Sequence, residues 1–147
     1  MISVVYHSQS GRCAQIAQKV AEGVQTATQC TVYRAVDAGV DVWLKSDAVL
    51  LVAAENSASL AGEFKAFLDR TLYPFYEQDK VALAATLICA GNDGRGALVQ
   101  FDRIAKGFPL KLMAPTEILL GEPSQKSLAY ARDWGQGLSE GVKMGIF

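Results

Sequence analysis

The chain has 147 residues, 50% hydrophobic and 20% charged, proportions that suit one globular domain spanning 1–147 with a core that needs no metal or disulfide staple. Fourteen basic side chains against fifteen acidic ones leave a net charge of −1, which removes the electrostatic case for a nucleic-acid partner or an anionic membrane. No run approaches the ~20 apolar residues of a membrane span. No basic segment precedes an apolar stretch at the N-terminus, and Cys13, Cys30 and Cys89 show no close pairing, so the expectation is a cytoplasmic protein with reduced thiols. With His7 the one histidine, no His-based metal site is expected.

Ile2 to Tyr6, apolar apart from Ser3, reads as a strand that starts at once. After the polar stretch His7 to Arg12, the residues Cys13, Ile16, Ala17, Val20 and Val24 recur at helical spacing, with Ser10 placed to cap that helix. Cys30 to Val36 alternates, Thr31 and Tyr33 against Val32 and Arg34, as an edge strand with one wet face does. Ala48 to Ala54 is uninterrupted and apolar, the pattern of a strand covered on both faces.

A loop, Glu55-Asn56-Ser57, leads into a helix carrying Leu60, Phe64, Phe67, Leu68 and Leu72, ended by Tyr73-Pro74-Phe75-Tyr76. Those last four residues suit a homodimer interface. Val81 to Cys89 is the next buried run, followed by the loop Ala90 to Gly96 and a helix through Leu98, Phe101, Ile104, Ala105 and Phe108. Leu110 to Leu120 holds the last strand, and Pro115 within it places that strand at the rim of the sheet. The final helix runs from about Ser124 towards Met144, with Gly135 and Gly137 expected to weaken its middle. Trp43 and Trp134 are expected in the core.

Strands alternating with helices predict an α/β fold, a three-layer α/β/α sandwich around a five-stranded parallel sheet of order 2-1-3-4-5. Ligands in such sheets sit beyond the carboxyl ends of the strands, at the switch point between the first and third. The first loop falls there. Ser8, Ser10, Gly11 and Arg12 join a strand to a helix N-terminus, where free N–H groups, the helix dipole and hydroxyls would converge on an anion such as a phosphate. Neither G-x-G-x-x-G nor a Walker A loop is present, and an ordinary capped turn is the other reading.

The segments Ser8-Gln9-Ser10-Gly11-Arg12-Cys13, Asp47 to Leu51, Gly62 to Arg70 and Cys89 to Gly96, in that order and spacing, resemble the flavodoxin-like superfamily over nearly the whole chain. The resemblance implies FMN as cofactor, its phosphate on Ser8, Gln9, Ser10, Gly11, Arg12 and Cys13. It places the flavin ring against a second loop with Glu55, Asn56, Ser57 and Ser59 and a third with Ala90, Gly91, Asn92, Asp93 and Gly94. A carboxylate such as Glu55 or Asp93 near the ring is expected to hold the midpoint potential low by like-charge repulsion.

The chain departs from the family pattern in three places. Cys13 stands where Thr or Asn is common, Ala53 to Ser59 contains neither proline nor aromatic, and Ala90 to Gly96 lacks an aromatic. An uncovered flavin face and a charge far less acidic than that of family electron carriers favour an NAD(P)H- or quinone-linked oxidoreductase over a one-electron carrier. A cofactor-free binding or regulatory module is the non-enzyme reading. Cys89 and Arg95 also satisfy C-x5-R, the spacing of thiol phosphatases.

Overall fold

The strand that opens the chain ends up inside the sheet. In a computed structural model describing residues 1–147, β1 (Ile2–Tyr6) lies between β2 (Cys30–Arg34) and β3 (Ala48–Asn56), parallel to both, with Ile2 opposite Cys30 on one side and Ala48 on the other. β3 pairs in turn with β5 (Ala82–Ala90), Leu50 opposite Ala85. The continuous apolar runs are the strands buried on both faces, whereas in β2 Val32 and Arg34 face solvent and Thr31 and Tyr33 are half-buried. That is the alternation read from the sequence.

The far edge is one strand broken in two. β6 (Leu110–Leu112) pairs with the start of β5 and β7 (Glu117–Leu120) with its end, both parallel, and Pro115 lies in the gap. A short antiparallel β4 (Ser59–Leu60) folds back on β3. The sheet order is therefore β2-β1-β3-β5-β6 with β7 continuing the β6 edge, which is the predicted 2-1-3-4-5 order once the hairpin and the break are counted.

Helices flank this sheet. α1 (Arg12–Val24) packs on α5 (Gln125–Lys143), and the contact depends on two glycines. A Cβ on Gly23 would sit 1.9 Å from the Arg132 carbonyl oxygen, and one on Gly135 would sit 2.3 Å from that of Val20. Gly135, expected to weaken α5, instead lets the two backbones approach. Gly137 faces open space and carries only the ordinary helix cost of glycine, ~1 kcal/mol relative to alanine.

An aromatic cluster gathers around α2 (Asp41–Lys45), α3 (Gly62–Tyr76) and the residue that follows α4 (Arg95–Gly107). Trp43 stacks on Phe67 at 5.5 Å, meets Phe108 at 5.0 Å and donates its Nε1–H to Thr71 Oγ1 at 3.0 Å. Trp134 is buried as well. α3 ends within the predicted segment, at Tyr76, but runs through Pro74 to get there, burying Phe75 and leaving Tyr73 and Tyr76 exposed. α5 begins where expected, on a capping box between Ser124 and Ser127. No helix is long and apolar enough to cross a membrane.

Candidate functional site

Because β1, β3 and β5 are parallel, their carboxyl ends and the loops that follow them share one edge of the sheet. A cleft of about 80 Å³, open to solvent, lies among those loops. The first loop contributes Ser8, Gln9, Ser10, Arg12 and Cys13, the second Glu55 and Asn56, the third Ala90 and Gly91. Gly11, Ser57, Ser59, Asn92, Asp93 and Gly94, also predicted, do not line it.

The entry turn of α1 is set by Gly11, which adopts a left-handed conformation (φ 92°) at the N-cap. Ser10 therefore does not cap the helix, contrary to the sequence reading. The Gly11 N–H donates instead to Ser8 Oγ at 3.0 Å, and Ser10 stays exposed. The first amide of the helix to find a backbone acceptor is Gln15, on the Gly11 carbonyl at 3.2 Å. The N–H groups of Arg12, Cys13 and Ala14 have no oxygen acceptor in the protein. They point the positive end of α1 at the cleft without a counter-charge among the capping groups. Arg12 is ion-paired to Glu122, in the turn between β7 and α5.

The second and third loops are bound to each other. Ser57 (φ 49°) and Ala58 (φ 61°) form a left-handed turn between β3 and β4. The Ala58 carbonyl lies so near Gly96 that a Cβ there would be 2.0 Å away. The Leu60 N–H donates to Gln100 Oε1 at 2.7 Å. Glu55 reaches across: its Oε1 accepts from the Gly94 N–H at 3.0 Å and its Oε2 from the Ala97 N–H at 3.2 Å. Asp93 accepts from Arg95 Nε at 2.6 Å. The Glu55 charge thus serves α4, and the Asp93 charge faces a guanidinium.

The C-x5-R phosphatase reading fails on the same geometry. An attacking thiolate needs the N-terminus of α4 for its phosphate, and the Glu55 carboxylate occupies it. Arg95 is turned to Asp93 and its side chain is 82% exposed. Cys89 lies instead towards α1, beside Arg12, Ile16 and Ser127. Interaction with Cys13 and burial push its thiol pKa far up, so it holds its proton.

Cys13 is 6% exposed, and its Sγ faces the Ala53 carbonyl at 4.0 Å. Hydrogen bonding from Cys89, assisted by its own backbone N–H and by Arg12, holds the Cys13 pKa below that of an ordinary thiol despite burial. Cys30, at the opposite end of the sheet, is pushed up to about 11 by burial. Gln9 and Asn56 close the cleft on one side, Asn56 Nδ2 donating to Gln9 Oε1 at 3.0 Å.

Gly121 lines the cleft and was not foreseen. The signal was present: Gly121-Glu122-Pro123-Ser124 is a turn followed by a helix cap, and it closes a strand at the same sheet edge. The Glu55 cap had no local signal, because its partners lie 39 and 42 residues away.

No protein-family model matches the chain, and no curated protein sequence matches it. Solved structures do. A flavodoxin from the domain Archaea superposes with a TM-score of 0.84 at 20% identity, over 97% of this chain and 99% of the other. The chain has a flavodoxin-like fold. A flavodoxin, WrbA-like protein from Agrobacterium tumefaciens matches with a TM-score of 0.79 at 20% identity, over 97% of each chain. The metal-soaked flavodiiron core from Synechocystis sp. matches with a TM-score of 0.82 at 15% identity. There the match covers 98% of this chain and 36% of the other, so this chain spans about a third of that protein.

Proposed function

We propose that the protein is an FMN-binding redox protein that accepts electrons from a nicotinamide or passes them to a quinone. The observation that carries this reading is the open N-terminus of α1. The N–H groups of Arg12, Cys13 and Ala14 lack oxygen acceptors, and Arg12 and Cys13 line a cleft built from the loops after β1, β3 and β5. That donor set fits a phosphomonoester, which brings negative charge and oxygen acceptors to where both are wanted. Ser10 adds a hydroxyl and Arg12 a charge shared with Glu122.

FMN, when bound, supplies hydride and single-electron chemistry. The chain's own contribution is binding, orientation and exposure. The α1 turn holds the phosphate, and the joined second and third loops form a stiff wall through Glu55, Gly96 and Gln100. Glu55, Asn56, Ala90 and Gly91 are the groups on that wall that face the cleft. No aromatic side chain lines it, so a ring seated there keeps a face open to a second substrate. A shielded carrier would need the opposite.

The Gln9–Asn56 bridge across the cleft favours a second reading, a cofactor-free module of the same fold. An absorption spectrum after expression with riboflavin, and calorimetry of the colourless protein with FMN, separate the two. Uptake of FMN with micromolar or tighter affinity supports the redox reading, and no uptake ends it. Anaerobic addition of NADPH or NADH then decides between reductase and carrier: bleaching of the flavin without a second protein is expected, and its absence leaves the carrier.

A further inference from the structure

Cys13 and Cys89 come from different elements and line one cleft at the N-terminus of α1. Cys13 is in the first turn of that helix, Cys89 is the next-to-last residue of β5, and both line the same solvent-open cleft. Cys89 also borders Ile16, one turn further along α1, so its side chain faces the helix that carries Cys13. Both thiols are free. Their mutual interaction shifts the two thiols apart, Cys13 towards the thiolate and Cys89 towards the thiol. Cys30 is remote, because β2 and β5 run parallel and it begins the one while Cys89 nearly ends the other.

We propose that Cys13 and Cys89 are a redox-active dithiol that a small-molecule disulfide of the glutathione-disulfide class converts into an intramolecular Cys13–Cys89 disulfide. The proposal rests on the two cysteines and needs no bound flavin. In the first step the Cys13 thiolate, its proton already given to solvent, attacks one sulfur of the small disulfide. That S–S bond breaks and one small thiolate leaves, protonated by solvent. In the second step the Cys89 sulfur attacks Cys13 Sγ, the mixed disulfide breaks, and the second small thiolate leaves with the Cys89 proton. Two protein thiols are oxidised and one small disulfide is reduced to two thiols.

The fold assigns each cysteine its part. The free amides and dipole at the α1 N-terminus stabilise negative charge on Cys13, which makes it the attacking group. Cys89 retains its proton until the mixed disulfide forms beside it, which makes it the resolving group. The resulting bond would fasten the first turn of α1 to the end of β5.

The test uses the full chain with Cys30→Ser, so that only the pair remains. Incubation with excess glutathione disulfide should lower the intact mass by two hydrogens and remove both titratable thiols without dimerisation. Dithiothreitol should restore both, and a peptide map should show residues 13 and 89 joined. Adding Cys13→Ser or Cys89→Ser should abolish the mass loss and leave at most a mixed glutathione adduct. Folded Cys30→Ser protein that keeps both thiols, or carries mixed adducts alone, overturns the proposal. If Cys30→Ser does not fold, the wild-type chain is treated identically and the peptide map gives the same decision. Phenylarsine oxide supplies an independent reading. One equivalent should be retained by the reduced pair against excess monothiol, and failure to retain it overturns the pairing.

Discussion

The N-termini of α1 and α4 are built alike and end up opposite in character. Each follows a parallel strand, each helix has 13 residues, and each is entered through a left-handed glycine, Gly11 at φ 92° and Gly94 at φ 84°. The first amides of α1 have no oxygen acceptor, whereas at α4 the Gly94 and Ala97 N–H groups are held by the two oxygens of Glu55. One terminus is available to an anion and the other already has one. The local design creates the electrostatic opportunity, and a residue about 40 positions away decides whether a ligand can use it.

The largest break in this comparison comes from the two glycines. A Cβ on Gly94 would meet Ile118 Cγ2 at 2.6 Å, while one on Gly11 would meet nothing within 4 Å. Both alanine variants incur left-handed strain of about 1–2 kcal/mol. Gly94→Ala adds crowding of at least ~1 kcal/mol, giving a loss of about 3 kcal/mol against about 1–2 for Gly11→Ala. Denaturant unfolding measures both, and equal losses would show that Ile118 yields.

Glu55→Ala opens α4 and should make the two termini alike. Losing a charged acceptor of two amides is expected to cost about 2 kcal/mol, or ~4–8 °C in melting temperature for a chain this long. The variant should also gain more thermal stabilisation from added inorganic phosphate than the wild type, because a second anion site now exists. A phosphate response unchanged from wild type would mean that the α4 amides are hidden by more than Glu55.

A smaller effect sharpens the α1 side. Glu122 holds Arg12 through a solvent-exposed ion pair. Glu122→Gln should release the guanidinium and tighten inorganic phosphate binding by about threefold, the scale of an exposed pair worth less than ~1 kcal/mol. Calorimetric titration of phosphate checks this. Weaker binding would show that Glu122 positions Arg12 for the anion.

Much of this was legible along the chain, because the apolar runs and helical spacings encode local structure. The sheet order followed from Ile2–Tyr6, Ala48–Ala54 and the run up to Cys89 being covered on both faces, apart from the exposed Val81 that precedes β5, and Cys30–Arg34 on one. Pro115 marked the broken edge because it cannot donate to a ladder. What escaped were relations between distant residues. Glu55 read as a charge beside a ligand because nothing in Glu55-Asn56-Ser57 reports that Gly94 and Ala97 will arrive beneath it. Gly135 read as a weak point because only the tertiary fold brings Val20 against it. Ser10 lost its cap role to Gly11 by a single residue, and a single residue separates an occupied α1 terminus from an open one.

The subtlest difference between the two termini is the thiol in the first turn of α1, which α4 lacks. Cys13 titrates below an ordinary thiol and Cys30 at about 11, so alkylation by iodoacetamide should show a lower pH midpoint at Cys13 than at Cys30. The midpoint, rather than the absolute rate, is the readout, since Cys13 is the more buried of the two. Phosphate and the Cys13 thiolate would draw on the same amides, so each should weaken the other. Saturating inorganic phosphate should therefore move the Cys13 midpoint upward and leave that of Cys30 where it was. In Glu55→Ala the shift at Cys13 should persist, because the anion newly admitted at α4 lies on a different terminus. A Cys13 midpoint indifferent to phosphate would place the bound anion away from α1 and remove the observation on which the cofactor site rests.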